Sequence, residues 1–141
     1  MNKDAYLIVR LAIAISMFGH GLVRLPKLET FAEGMVVQFS ETMLPAAMVL
    51  PFGYILPIAE LIVGALLLFG LMTRAAAWAG AMTMFALMLG TCLLEAFGNL
   101  TSQLVHTLFF VILIQFQHSD VYSLDRKLGI GRRTEKLRSE L

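Results

Sequence analysis

The sequence predicts an all-α fold: an integral membrane four-helix bundle with an additional amphipathic helix between spans one and two. Three observations carry this. Hydrophobic residues fill 58% of the 141 positions, with a mean hydropathy of +0.77, against about 45–50% apolar residues in a soluble domain. Four apolar stretches reach or approach the roughly 20 residues needed to cross the hydrocarbon core of a bilayer. The segment between the first two has a helical period but too many charges to cross.

Span one is predicted at residues 5–25. Lys3 and the apolar run after it resemble a secretory leader, but Arg10 interrupts the run and no small-residue cleavage site follows before Pro26, so the run reads as a span. Next comes the amphipathic helix, at about residues 27–43. Leu28, Phe31, Ala32, Met35, Val36, Phe39 and Met43 recur at three- and four-residue spacing, with Glu29, Glu33, Gln38 and Glu41 between them. Its acidic polar face favours packing over the mouth of the bundle rather than onto anionic lipid. Span two, 46–72, contains Pro51 and Pro57. Pro57 lacks the amide that would bond the Gly53 carbonyl, so a kink is expected one turn before Glu60. Span three, 75–97, is rich in alanine and glycine near its start, which lets helix backbones approach closely. Span four, 101–117, is the shortest. Gly98 and Asn99 suit a tight turn before it because both tolerate left-handed backbone. The runs are continuous rather than alternating, which argues against a barrel.

Charge placement orients the bundle. Lys3, Arg74, Arg126, Lys127, Arg132, Arg133, Lys136 and Arg138 fall on one side of the spans, and only Arg24 and Lys27 on the other. The positive side is expected to be cytoplasmic, placing both termini there in a cell inner membrane. Residues 126–141 form a basic cytoplasmic tail. The tail is short, contains Glu135 and Glu140 and has no interleaved aromatics, so anionic lipid is its expected partner and nucleic acid is not. Cys92 is the only cysteine, which removes intrachain disulfide and paired-thiol chemistry. It reads as a small buried residue.

Ionisable residues inside spans are costly and therefore candidates for function. Depth counting puts Arg10 and Glu60 within reach of each other in the inner half, as a buried ion pair. A second group, His20, Arg24, Glu95, Gln103 and His106, gathers near the other face and is expected to converge under the amphipathic helix. Two histidines and a carboxylate lack the close spacing of a metal motif, so no metal site is assigned. Paired histidines can ligate a haem iron, a weaker reading here than a quinone. A quinone head group accepts hydrogen bonds from histidine or arginine and its tail suits the bilayer. The competing reading is that His20 and His106 only hold helices together.

The order of these residues resembles a known family. Arg10, Gly19-His20-Gly21 and Arg24-Leu25 lie on span one. Glu60-Leu61, Gly64, Leu66-Leu67, Gly70-Leu71 and Thr73-Arg74-Ala75-Ala76 run through and beyond span two. Tyr122-Ser123-Leu124-Asp125 follows span four. The pattern is similar to the DoxX family of small four-helix bacterial membrane proteins. Two departures stand out: Arg24 replaces the family's usual lysine, and Gln117-His118-Ser119-Asp120 replaces the glycines before the Ser-Leu-Asp element. The resemblance implies association with membrane oxidoreductase systems, quinone reduction and oxidative-stress defence, and with redox partner proteins. More distant members act as membrane chaperones. It marks Arg10, His20, Arg24 and Glu60 as family-matching polar positions. The expected function is therefore a component of a membrane oxidoreductase system with a quinone pocket. The alternatives are a non-catalytic scaffold or assembly chaperone, and a small-solute or proton transporter built as a homo-oligomer.

Overall fold

A computed structural model describes residues 1–129; most of the basic tail lies outside the described residues. The long apolar runs form α1 (Lys3–Arg24), α3 (Ala46–Phe69), α4 (Thr73–Leu93) and α5 (Leu100–Gln115). The short α2 (Leu28–Gln38) and α6 (Leu124–Leu128) complete the set. The four long helices, the last counted from the short helical turn that begins at Phe97, are each long and apolar enough to cross a membrane, and no strand occurs among the described residues. The start of the chain and the exit from α5 lie at one end of the bundle, where Ser119 Oγ donates to the Met1 carbonyl at 2.7 Å and Tyr122 Oη to Asp4 at 3.3 Å. This is called the terminal end below. The opposite end, under α2, is called the lid end.

Local chemistry sets the boundaries. The Asn2 side chain accepts from the Asp4 amide and caps α1. Gly70, at φ 65°, closes α3 in the left-handed conformation that glycine adopts without strain. Pro51 and Pro57 sit inside α3, which still runs unbroken through both. The amphipathic helix is shorter than its period suggests. At Phe39 the backbone leaves helical geometry, and the hydroxyls of Ser40 and Thr42 turn back onto the carbonyls of Val37 and Phe39. Between α4 and α5 the left-handed residue is Glu95, at φ 54°, rather than Gly98 or Asn99.

Small residues set the helix contacts. A Cβ on Gly21 would strike Leu61 and Pro57 of α3, and a Cβ on Gly64 would strike Phe18 of α1. The α1–α3 seam is therefore backbone against backbone. Gly80 of α4 receives the ring of Phe110 from α5, and Gly53 of α3 receives Ala32 of α2. Tyr6, Met17, Leu67, Ala77, Met84, Phe110 and Leu113 fill the interior. Large apolar side chains point outward along every long helix, among them Ile8, Ile15, Ile62, Phe69, Leu89 and Leu108. In water such a surface would aggregate; against lipid tails it is the expected exterior. Cys92 also faces outward, not into the core as its size suggested. The helices form a ring in which α1 lies mainly against α3 and α5 mainly against α4, leaving α1–α5 the sparsest seam.

Candidate functional site

Beneath α2, the lid end holds a cavity of about 380 Å³, within the size range of small-ligand pockets. Its apolar wall is Met17, Leu56, Met84 and Leu87. Phe31, Met35 and Phe39 cover it, with Phe39 reaching across to Gly90 of α4. The α2 lid is held down by Ala32, which is fully buried against α3. Within this apolar frame, polar groups converge from four helices: His20 and Arg24 of α1, Glu60 of α3, Thr91 of α4, and Gln103 and His106 of α5.

These groups are held in defined states. Arg24 Nη1 donates to Glu60 Oε2 at 2.5 Å, and the guanidinium lies 4.8 Å from the centre of the Phe31 ring. The lid and the charge are thus joined. His106 Nδ1 lies 2.7 Å from the Ser102 carbonyl, which can only accept, so Nδ1 carries the proton. In the neutral ring, Nε2 then accepts from the Ser16 hydroxyl at 2.8 Å. The rings of His20 and His106 are 6.1 Å apart between centres. Gln103 donates to Thr91 at 2.7 Å, leaving its Oε1 buried with no donor. A buried acceptor without a partner costs about 1–3 kcal/mol.

The terminal end carries a second charged site. Arg10, 2% exposed, donates to Asp120 Oδ1 at 2.9 Å and to the Tyr122 carbonyl at 3.2 Å. Asp125 accepts from the amides of Met72 and Thr73 at 2.7 and 2.8 Å, capping α4 from a distant part of the chain. Its own amide donates to the Gly70 carbonyl. The Ser123 hydroxyl caps α6. The Tyr122–Asp125 element is therefore a strap that fastens the exit of α5 to the α3–α4 turn around Arg10. Burial raises the Asp120 carboxyl above the ordinary carboxylate range, and the Arg10 guanidinium opposes that rise.

Two expectations need correction. Arg10 and Glu60 do not pair. Gly21 lies level with Leu61, Gly64 with Phe18, and Gly70 with Arg10. In that register Glu60 is about ten residues, or roughly 15 Å, along α3 from the level of Arg10. Each takes a nearer partner, Asp120 and Arg24. Glu95 does not line the cavity. α4 ends at Leu93, two residues before it, and the left-handed turn leaves the Glu95 side chain exposed. The other four, His20, Arg24, Gln103 and His106, do meet at the cavity. Sequence reasoning missed Glu60 and Thr91 as cavity residues and Asp120 as the partner of Arg10. Asp120 had a usable signal: it is the first acidic residue after span four, on the side where Arg10 enters the bilayer. Among the described residues no group of three or more His, Cys, Asp and Glu is placed to hold a metal ion.

Comparison with protein-family models matches the chain to DoxX over residues 5–92. Comparison with curated proteins and with solved structures gives no match.

Proposed function

Since the chain belongs to the DoxX family, as a multi-pass membrane protein, we propose that the lid-end cavity binds the head group of a quinone and that the protein serves a membrane oxidoreductase system. The observation that carries this reading is the cavity itself: about 380 Å³, apolar-walled, with hydrogen-bonding groups from four helices at one level. Arg24 and His20 are the donors for quinone carbonyls. The Arg24–Glu60 pair keeps the cavity nearly neutral, as an uncharged ring requires. The electrons come from, or go to, a redox partner protein. The residues of this chain bind the ring and hold protons beside it.

The same reading places the protein in a bacterial inner membrane with the terminal end cytoplasmic. Lys3, Arg74, Arg126 and Lys127 lie at that end, while at the lid end Arg24 is already paired and Lys27 stands alone. The test is the protein purified in mild detergent, with extraction and mass spectrometry of bound small molecules. A quinone recovered at near one per chain, and lost in Arg24→Gln, supports the reading. Recovery of none, with no thermal shift on adding quinone, rejects it.

A further inference from the structure

Helix α2 is fastened differently from the four long helices. Among the described residues no hydrogen bond or ion pair joins it to α3, α4 or α5. Ala32 is its one buried residue, seated where Gly53 of α3 leaves room. Phe39, just past its end, rests against Gly90 of α4. The backbone departs from helical geometry on both sides, at Lys27 (φ −125°, ψ 35°) and at Phe39 (φ −88°, ψ 2°). Packing therefore holds α2 down, and both flanks can absorb its movement as a body. The remaining contact is with a charge: the Phe31 ring lies 4.8 Å from the guanidinium carbon of Arg24.

Arg24 makes one hydrogen bond, from Nη1 to Glu60, whereas Arg10 makes two. A guanidinium held at one nitrogen can turn about that bond. A ring over its face stops the turn, and the free N–H groups, which lie in the guanidinium plane, stay available at its edge. We propose that Phe31 is a positioning residue for Arg24, and that the seating of α2 thereby sets the affinity of the cavity. With α2 seated, Arg24 presents a fixed donor edge. With α2 lifted, the ring leaves with it and the edge must be ordered as the ligand binds, which weakens binding. One cation–ring contact corresponds to about a threefold to tenfold change in affinity. The inference rests on the proposed head-group site and adds its regulation. Whatever displaces α2 from outside changes the occupancy of a cavity it does not enter.

Gly53 does not line the cavity, so substitution there lifts α2 without touching the ligand. A Cβ on Gly53 lies 2.8 Å from the Ala32 Cα, which makes Gly53→Ala a mild wedge and Gly53→Leu a larger one. The experiment is equilibrium binding of a tail-free methoxybenzoquinone in detergent. Affinity should fall in the order wild type, Gly53→Ala, Gly53→Leu, with Phe31→Leu about threefold to tenfold below wild type and Phe31→Trp close to it. In an Arg24→Gln background Phe31→Leu should cost nothing further. An equal loss in that background shows that Phe31 is only a wall of the cavity and overturns the proposal, as does wild-type affinity in Gly53→Leu. A second measurement needs no ligand: the Arg24 Nε–H resonance of ¹⁵N-arginine-labelled protein, assigned by its loss in Arg24→Gln. Phe31→Leu and Gly53→Leu should shift it in the same direction as ring shielding is lost. A resonance unmoved by Gly53→Leu overturns the coupling even where the quinone binds. No binding to wild type removes the head-group reading and the control of affinity with it.

Discussion

Helix α1 carries an arginine–carboxylate pair near each end, and the two pairs behave differently although their chemistry is the same. At the terminal end, Arg10 and Asp120 are 2% and 7% exposed and closed in by the strap. At the lid end, Glu60 is as deeply buried, but Arg24 keeps 28% exposure and faces the cavity. In the first pair the guanidinium bonds Asp120 and the Tyr122 carbonyl, and its Nε is buried against protein without a partner. In the second it bonds one carboxylate oxygen and lies over a ring of the lid, with its remaining donors beside open space. A buried charge is therefore not in itself a sign of function. What separates clamp from site is whether the packing leaves room beside it.

Breaking the terminal-end clamp should have the largest effect. Arg10→Met leaves Asp120 buried without a partner, and the expected loss is about 3 kcal/mol, read as a lowered unfolding temperature in detergent. Replacing both residues by apolar ones of similar volume should recover most of it. Gly64→Ile, which forces a branched side chain into the backbone of Phe18, should cost about 1–3 kcal/mol and loosen both pairs by parting α1 from α3. Next comes His106→Phe, which removes the bonds to Ser16 and Ser102. The expected stability loss is about 1 kcal/mol, with a severalfold weakening of quinone binding that Arg10→Met in a still-folded fraction should not show.

The smallest expected effect is a pH slope at Asp120. Its folded pKa is raised by burial, so its favourable contribution is complete below the unfolded value, near 3.8, and is lost as pH rises through the folded value. Wild-type stability relative to Asp120→Asn should therefore decline as pH rises above about 3.8. A difference that grows with pH would show that the attraction of Arg10 outweighs burial.

The sequence made some of this legible and hid the rest. Four helices were readable because lipid demands long apolar runs. The convergence of His20, Arg24, Gln103 and His106 was readable because all four are counted from the same end of the bundle. Pairing across α1 and α3 was not, because it depends on the register set by Gly21 and Gly64, and nothing in a hydropathy pattern specifies register. Glu95 was misplaced because α4 stops at Leu93, within an apolar run that continues to Phe97. Asp120 lies just beyond a span, and only the strap, folding back, buries it.

The distinction between clamp and site is tested most directly by binding of a tail-free methoxybenzoquinone, measured by titration calorimetry on the wild type, Arg24→Gln and Asp120→Asn. The expected result is saturable binding at one site in the wild type, unchanged affinity in Asp120→Asn and at least tenfold weaker binding in Arg24→Gln. No saturable binding to the wild type, or equal affinity in Arg24→Gln, would contradict the assignment of the lid-end pair to a ligand site.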